Sequence, residues 1–364
     1  SCEAPGRDYA RTLYINPATG TDAGNGSEAL PYKTLKTALL EGRIMPGDHV
    51  VLMPGNHGAL SANKFKNPTL VAAPRWTWIE FKSGAKAESI DFRDMSRWIV
   101  TNAEMTGGAN LVSFSADKVI GANNIVFADG ELYTAKSTNG WGIPEWKAAN
   151  NAFYTRNVSC VSIIRNRMTN IRFGITASTD VKSPTPSLNS LKTLIEDNRI
   201  TNFSADAMRP LGSDITIRNN YIADEYLSAA DGDGNHDDAI QGFALNGAVY
   251  NNVKIQGNWI QETTDRNRQF NASMQGISVF DGVYENAQVT NNVVISTAYH
   301  GISWGGALNS RIENNTVINP DWVTNGRKLW IRSGIGKLGQ QPLGTIIKNN
   351  VAVHFAVEGG AVLE

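Results

Sequence analysis

The richest concentration of chemically competent side chains in the sequence is Asp231-Gly232-Asp233-Gly234-Asn235-His236-Asp237-Asp238-Ala239-Ile240-Gln241. Four carboxylates crowd one imidazole. In such a setting Asp238 would orient His236 and tune its pKa, leaving a ring that abstracts or returns a proton near neutral pH. The same residues have the alternating oxygen-donor spacing that wraps Ca²⁺, through Asp231, Asp233, Asn235 and Asp237. An EF-hand loop would carry Gly and Glu where this chain has His236 and Gly242, so a cation here would be structural or would neutralise a substrate carboxylate. Asp and Gly also gather in turns for conformational reasons alone, and that reading stands beside the other two.

Such groups need a framework to hold them. The chain has 364 residues, with Lys+Arg 33 against Asp+Glu 34, so its net charge of −1 lacks the electrostatic footprint of a nucleic-acid binder. No apolar run approaches the ~20 residues of a membrane-spanning helix. Charged residues make up only 18%, and Asn (37) and Gly (34) supply the missing polarity. Both are poor in long helices, which points to many short strands joined by turns.

A repeat gives those strands an order. The template apolar-x-x-Asn-x-apolar recurs at Ile99…Asn102, Ile120…Asn123…Ile125, Ile163…Asn166…Met168, Ile195…Asn198…Ile200, Ile217…Asn220…Ile222, Ile255…Asn258…Ile260, Val289…Asn292…Val294, Ile312…Asn315…Val317 and Ile347…Asn350. Successive asparagines are 21 to 43 residues apart, one short unit with variable insertions, which is the signature of a solenoid. β-Branched residues around each Asn select strands over helices. The reading is an all-β parallel β-helix in which stacked Asn side chains bond to one another and accept the left-handed backbone of a sharp turn.

A second strand follows in each turn: Phe173-Gly174-Ile175-Thr176, Asp206-Ala207-Met208-Arg209, Asp238-Ala239-Ile240-Gln241, Gln275-Gly276-Ile277-Ser278 and His300-Gly301-Ile302-Ser303. Alternation turns the Ile/Met column inward and the column Thr176, Arg209, Gln241, Ser278, Ser303 outward. A flat polar face of this kind suits an extended polysaccharide, and a merely solvated face would carry the same pattern. Residues 1–75 differ, with a short helix expected within Pro31–Leu39 and a strand within Pro46–Gly55; they read as a cap and first turn, followed by the β-helix over 76–364 as one continuous domain.

The repeat, the Tyr14-Ile15-Asn16-Pro17-Ala18-Thr19-Gly20 entry and the Pro46-Gly47-Asp48-His49-Val50-Val51-Leu52 segment together resemble the right-handed β-helix enzymes of the pectate-lyase-like superfamily over nearly the whole chain. That resemblance implies a right-handed β-helix with an N-terminal cap and an activity among polysaccharide lyases, C5-epimerases, glycoside hydrolases and phage depolymerases. His236, Asp238 and Gln241 match the His-x-Asp-x-Ile-Gln signature of some polysaccharide-active members.

Lyase chemistry explains why these residue types would gather. The C5 proton of a uronate lies α to a charged carboxylate, so the site must neutralise that carboxylate before a base can take the proton and the 4-linked sugar can leave with acid assistance. His236 is the base candidate. Tyr299 or His300 is the proton donor, and Arg209, Gln241 and Arg332 are candidates for the carboxylate side. The basic stretch Arg327-Lys328-Leu329-Trp330-Ile331-Arg332…Lys337 fits an anionic sugar, and Arg266 and Arg268 could wall the same face. A C5-epimerase would use the same groups. Hydrolysis would instead need two carboxyl groups across the bond, from Asp206, Asp237 and Asp238. A non-catalytic carbohydrate-binding β-helix would not need the His-Asp cluster. The expected partner is an anionic polysaccharide, with no nucleic acid, no membrane span and a monomeric chain. Cys2 and Cys160 could pair or stay free, and Ser1-Cys2 resembles the end of a lipobox, so a lipid anchor at Cys2 and a secreted, periplasmic or outer-surface location are expected.

Overall fold

The computed structural model describes residues 1–63, 75–117, 123–227, 230, 232, 236–270 and 273–364. Each turn of chain adds one strand to each of three parallel sheets of thirteen, ten and eleven strands. We call them first, second and third in the order a turn visits them. One turn runs Ser190–Glu196, Arg199–Phe203, Met208–Leu211, and the next begins at Ser213–Arg218 directly above Ser190–Glu196. This is the parallel β-helix expected from the repeat.

Its interior is built from columns of like residues. In the first sheet Ile163, Ile195, Ile217, Ile255, Val289, Ile312 and Ile347 stack in register and are 0–1% exposed. Each such side chain contributes about 1.5–3 kcal/mol by leaving water.

The asparagines occupy the corner between the first and second sheets. Asn198 donates its N–H and Nδ2 to Asn220 Oδ1 (2.9 and 3.1 Å), and its Nδ2 also reaches the Ile163 carbonyl of the turn before (2.9 Å). The same bonds run without a break through Asn166, Asn198, Asn220, Asn258, Asn292, Asn315 and Asn350. The left-handed residue is not the ladder Asn itself but the one before it: Arg165, Asp197, Asn219, Gly257, Asn291, Asn314 and Asn349 all have φ between +54° and +67°. Stacking and turning are therefore divided between two adjacent positions.

The first two matches to the template are out of phase. Strand register sets Ile163 beside Phe127 and Phe127 beside Val100, so the ladder position falls on Gly130 and Ala103 rather than Asn123 and Asn102. Gly130 N–H donates to Asn166 Oδ1 (2.8 Å), and Asn102, at φ +59°, takes the left-handed place.

At the N-terminal end Arg11–Ile15 pairs in parallel with Asp48–Leu52 and forms the edge strand of the first sheet. Between them the helix Leu35–Leu40, capped by Thr34 Oγ1 accepting from Thr37 N–H (3.1 Å), buries Leu35, Ala38 and Leu39. Cys2 and Cys160 form a disulfide, 158 residues apart in sequence with Cα atoms 5.4 Å apart. This corrects the expectation of a lipid anchor: the sulfur that would carry it is already bonded to Cys160.

Candidate active site

The corner between the second and third sheets has its own pattern, polar-small-apolar-polar. At Gly174, Gly276 and Gly301 an added Cβ would meet Ile200, Val294 and Val317 of the second sheet, so this small position points into the core along with the apolar residue after it. Two successive inward residues leave the flanking polar residues on one outer face. They bond to each other three residues apart: Arg209 Nε donates to Asp206 Oδ2 (2.7 Å), Gln241 Nε2 to Asp238 Oδ2 (3.0 Å), and His300 Nδ1 lies 2.6 Å from Ser303 Oγ. The sheet register continues the outer column through Thr176, Arg209, then Gln241, Ser278, Ser303 and Arg332.

Asp206 and Asp238 lie on adjacent turns, with Asp238 N–H donating to Asp206 Oδ1 (2.9 Å). Burial raises the pKa of both carboxyls; in Asp238 the charge of Asp206 adds to it and the shift is large. Ser278 lies near enough to favour the ionised form of Asp238, yet among the described residues neither Asp238 Oδ1 nor Ser278 Oγ has a partner at hydrogen-bond geometry. Asp238 is fully buried, its Oδ2 taken by Gln241. The expectation that it orients His236 is thereby corrected: its bonds hold Gln241, while Asp206 holds Arg209, whose guanidinium also lies 4.1 Å over the Phe173 ring. The two carboxyls are positioning residues for the Arg209 and Gln241 side chains.

His236 is exposed at the junction of two cavities. One, ≈ 80 Å³, brings it together with Asp237, Arg209, Gln241, Lys147 and Arg172. The other, ≈ 260 Å³, joins it to Tyr299, His300, Gln275, Ser273 and Arg327. Arg327 is fixed there by a bond to Ser273 Oγ (2.9 Å) and lies 5.6 Å from the Tyr299 ring centre. The Trp330 indole N–H reaches His300 Nδ1 and Ser303 Oγ, both at 3.1 Å. Burial, reinforced by the nearby Arg332 and His236, pushes the His300 pKa down to about 4, so this ring is neutral at neutral pH.

The remaining candidates are dispersed. Arg332 stays in the outer column, 3.7 Å from Glu358. Lys337 pairs with Asp281 (3.0 Å) at the far end of the strand Gln275–Asp281, away from both cavities. Arg266 and Arg268 do not wall this face. They line a separate cavity of ≈ 660 Å³, where Arg266 is bound to Asp321 (2.7 Å) and Arg268 lies 4.7 Å over the Tyr226 ring. Of the calcium set, Asp231, Asp233 and Asn235 lie outside the described residues, and only Asp237 is placed. Among the described residues no group of three or more His, Cys, Asp or Glu side chains could hold a metal. Lys147, Arg172, Ser273 and Gln275 escaped the sequence reading. Gln275 was visible as the in-register partner of Asp238, whereas Lys147 ends the short helix Ile143–Lys147 and Arg172 and Ser273 lie in connections between strands, whose approach no repeat predicts.

A family profile described as the right-handed beta helix region matches residues 151–334, half of the chain. The chain belongs to the right-handed β-helix family. Comparison with solved structures places this β-helix protein beside the GH136 lacto-N-biosidase from Eubacterium ramulus, at 12% identity and a TM-score of 0.51, covering 97% of this chain and 67% of that one. The A-module of the Azotobacter vinelandii mannuronan C-5 epimerase AlgE6 follows at 11% identity and TM-score 0.49, with 91% and 94% covered. The pectate lyase Pel9A gives 12% and 0.34, with 98% and 78% covered. At such identities the likeness concerns the fold. A sequence comparison with curated proteins finds no match.

Proposed function

We propose that this β-helix protein is a polysaccharide lyase acting on a uronic-acid-containing, anionic polysaccharide. The observation that carries the reading is the meeting of His236 with Tyr299 and His300 in one cavity, while the same His236 borders Arg209 and Gln241 in the next. The uronate carboxylate sits against Arg209 and Gln241, held in place from behind by Asp206 and Asp238. His236 takes the C5 proton, the C5–H electron pair becomes the C4–C5 double bond, and the C4–O bond breaks. Tyr299 supplies a proton to the departing oxygen; His300, the other donor expected from the sequence, is held neutral and is not an acid at neutral pH. Hydrolysis fits less well, because Asp206 and Asp238 are buried and spent on Arg209 and Gln241, so they cannot flank a sugar. Two imidazoles on one cavity also support a C5-epimerase, which returns the proton to the opposite face instead of breaking the C4–O bond. Where a Ca²⁺ ion is used, Asp237 is the placed residue suited to it, and its chemistry would be charge neutralisation of the substrate carboxylate. The disulfide supports an exported, oxidising location.

The test is incubation with polygalacturonate, alginate and other polyuronates, with and without chelator. The lyase reading expects an ultraviolet-absorbing unsaturated uronate at the new end. Reducing ends without that absorbance indicate a hydrolase, and altered C5 configuration without cleavage an epimerase. Full activity in His236→Ala would sink the site.

A further inference from the structure

The outer face of the second sheet carries a column unlike the rest of the surface. One position after the ladder, Arg167, Arg199, Tyr221 and Trp259 stand in register on four consecutive strands, while Met168, Ile200, Ile222 and Ile260 beside them are buried inward. Arg167 and Arg199 face each other as like charges on strands about 4.8 Å apart, a costly arrangement for a face with no task. On the wall of the coil Arg165 is neutralised by Asp129 (2.8 Å) and Arg218 by Glu196 (3.0 Å). Among the described residues neither Arg167 nor Arg199 has an ion pair, and Glu131, the cross-strand neighbour of Arg167, forms none with it.

The aromatics complete the column. The Arg199 guanidinium lies 4.0 Å over the Tyr221 ring, which orients it while leaving its edge N–H groups free for bidentate contact with a carboxylate. Trp259 is 42% exposed, and its indole N–H donates to Gln261 Oε1 (3.1 Å), fixing a broad apolar face toward solvent that suits the C–H face of a sugar ring. Gln261 in turn lines the ≈ 660 Å³ cavity with Arg266 and Arg268.

We propose that Arg167, Arg199, Tyr221 and Trp259 form a second polysaccharide-binding strip, which takes an extended, carboxylate-bearing chain across the strands and leads it into the Gln261 cavity. One sugar of an extended chain advances by a distance comparable to one strand spacing, so successive side chains of the column meet successive sugars. The proposal rests on the polyuronate reading for its ligand class, not for its geometry.

Affinity electrophoresis in native gels cast with polygalacturonate, alginate or neutral hydroxyethyl cellulose tests it. The wild-type protein is expected to be retarded by at least one polyuronate, less so at higher salt, and the exposed triple variant Arg167→Gln/Arg199→Gln/Trp259→Ala to lose roughly ten-fold in apparent affinity while its melting temperature does not fall. No retardation of the wild type, equal retardation of the variant, or equal retardation by the neutral polymer would each overturn the strip. Strip-dependent retardation without any unsaturated product overturns the lyase reading alone.

Discussion

Two corners of the same coil obey opposite rules. Where the first sheet turns into the second, seven asparagines repeat one residue type in one hydrogen-bond pattern, and from Asn166 to Asn315 each side-chain amide both accepts and donates within it. Where the second sheet turns into the third, the polar-small-apolar-polar pattern also repeats, but the polar positions change from turn to turn: Asp206, Asp238, Gln275, His300. Among the described residues that corner contains a carboxylate oxygen and a hydroxyl without hydrogen-bond partners, two carboxyls with raised pKa and a neutral imidazole. Uniform repetition minimises unsatisfied groups, while variation at a fixed position accumulates them, and such groups gather where substrates are handled.

The sharpest way to break the comparison is to mutate one residue in each corner. His236→Ala, exposed at the variable corner, is expected to lower polyuronate cleavage by about 10²–10⁴-fold, the range of a lost general base, while stability changes by less than about 0.5 kcal/mol. Asn220→Ala should do the reverse. It strands the Asn198 N–H and Nδ2 and the Ile195 carbonyl, leaves Asn258 Oδ1 only the backbone N–H of residue 220, and so costs about 3 kcal/mol in urea denaturation, with unchanged activity per folded molecule. An Asn220→Ala protein as stable as wild type would remove the ladder from the account of stability.

The two corners were not equally legible in the sequence. Identical asparagines in phase with an apolar column can be counted, and from Asn166 onward the template falls on the ladder; it slips earlier because Ala103 and Gly130 hold the ladder position without an amide. The outward column Arg209, Gln241, Ser278, Ser303 followed from strand alternation alone. What alternation hid is that Ala239 and Ile240 both turn inward, which joins Asp238 to Gln241 rather than to His236. Arg327 stood in the noted basic stretch, but its convergence on Tyr299 depends on a loop path that no periodicity encodes.

The pH dependence of stability separates the groups of the variable corner, since they pull in opposite directions. Asp206 and Asp238 have folded pKa values above their ordinary 3.8, so the stability they confer is complete below that value and is lost as pH rises through the folded pKa. His300 has a folded pKa of about 4, below its ordinary 6.5, so its contribution is present above 6.5 and is lost as pH falls toward 4. Each proton contributes a slope of at most about 1.4 kcal/mol per pH unit. Asp238→Asn, which preserves shape, should flatten the loss toward high pH, and His300→Gln the loss toward low pH. Denaturation midpoints measured across the range would show either slope surviving in its variant if the assignment were wrong.

The smallest effect probes the ladder corner itself, at the position that turns rather than stacks. Asn291 is exposed at φ +59° and directly precedes Asn292. Its backbone N–H bonds to the Glu313 carbonyl, a contact that survives any side-chain change. Asn291→Ala should cost about 1 kcal/mol, because Ala tolerates the left-handed region worse than Asn, and Asn291→Gly only a few tenths either way, since Gly accepts the conformation but loosens the unfolded chain. Deleting the same amide one residue later, in Asn292→Ala, should cost about three times as much, because that amide is shared between Asn258 and Asn315. Equal costs at the two positions would mean that turning and stacking are not separate tasks, and the corner would then owe its stability to the backbone turn rather than to the column of amides.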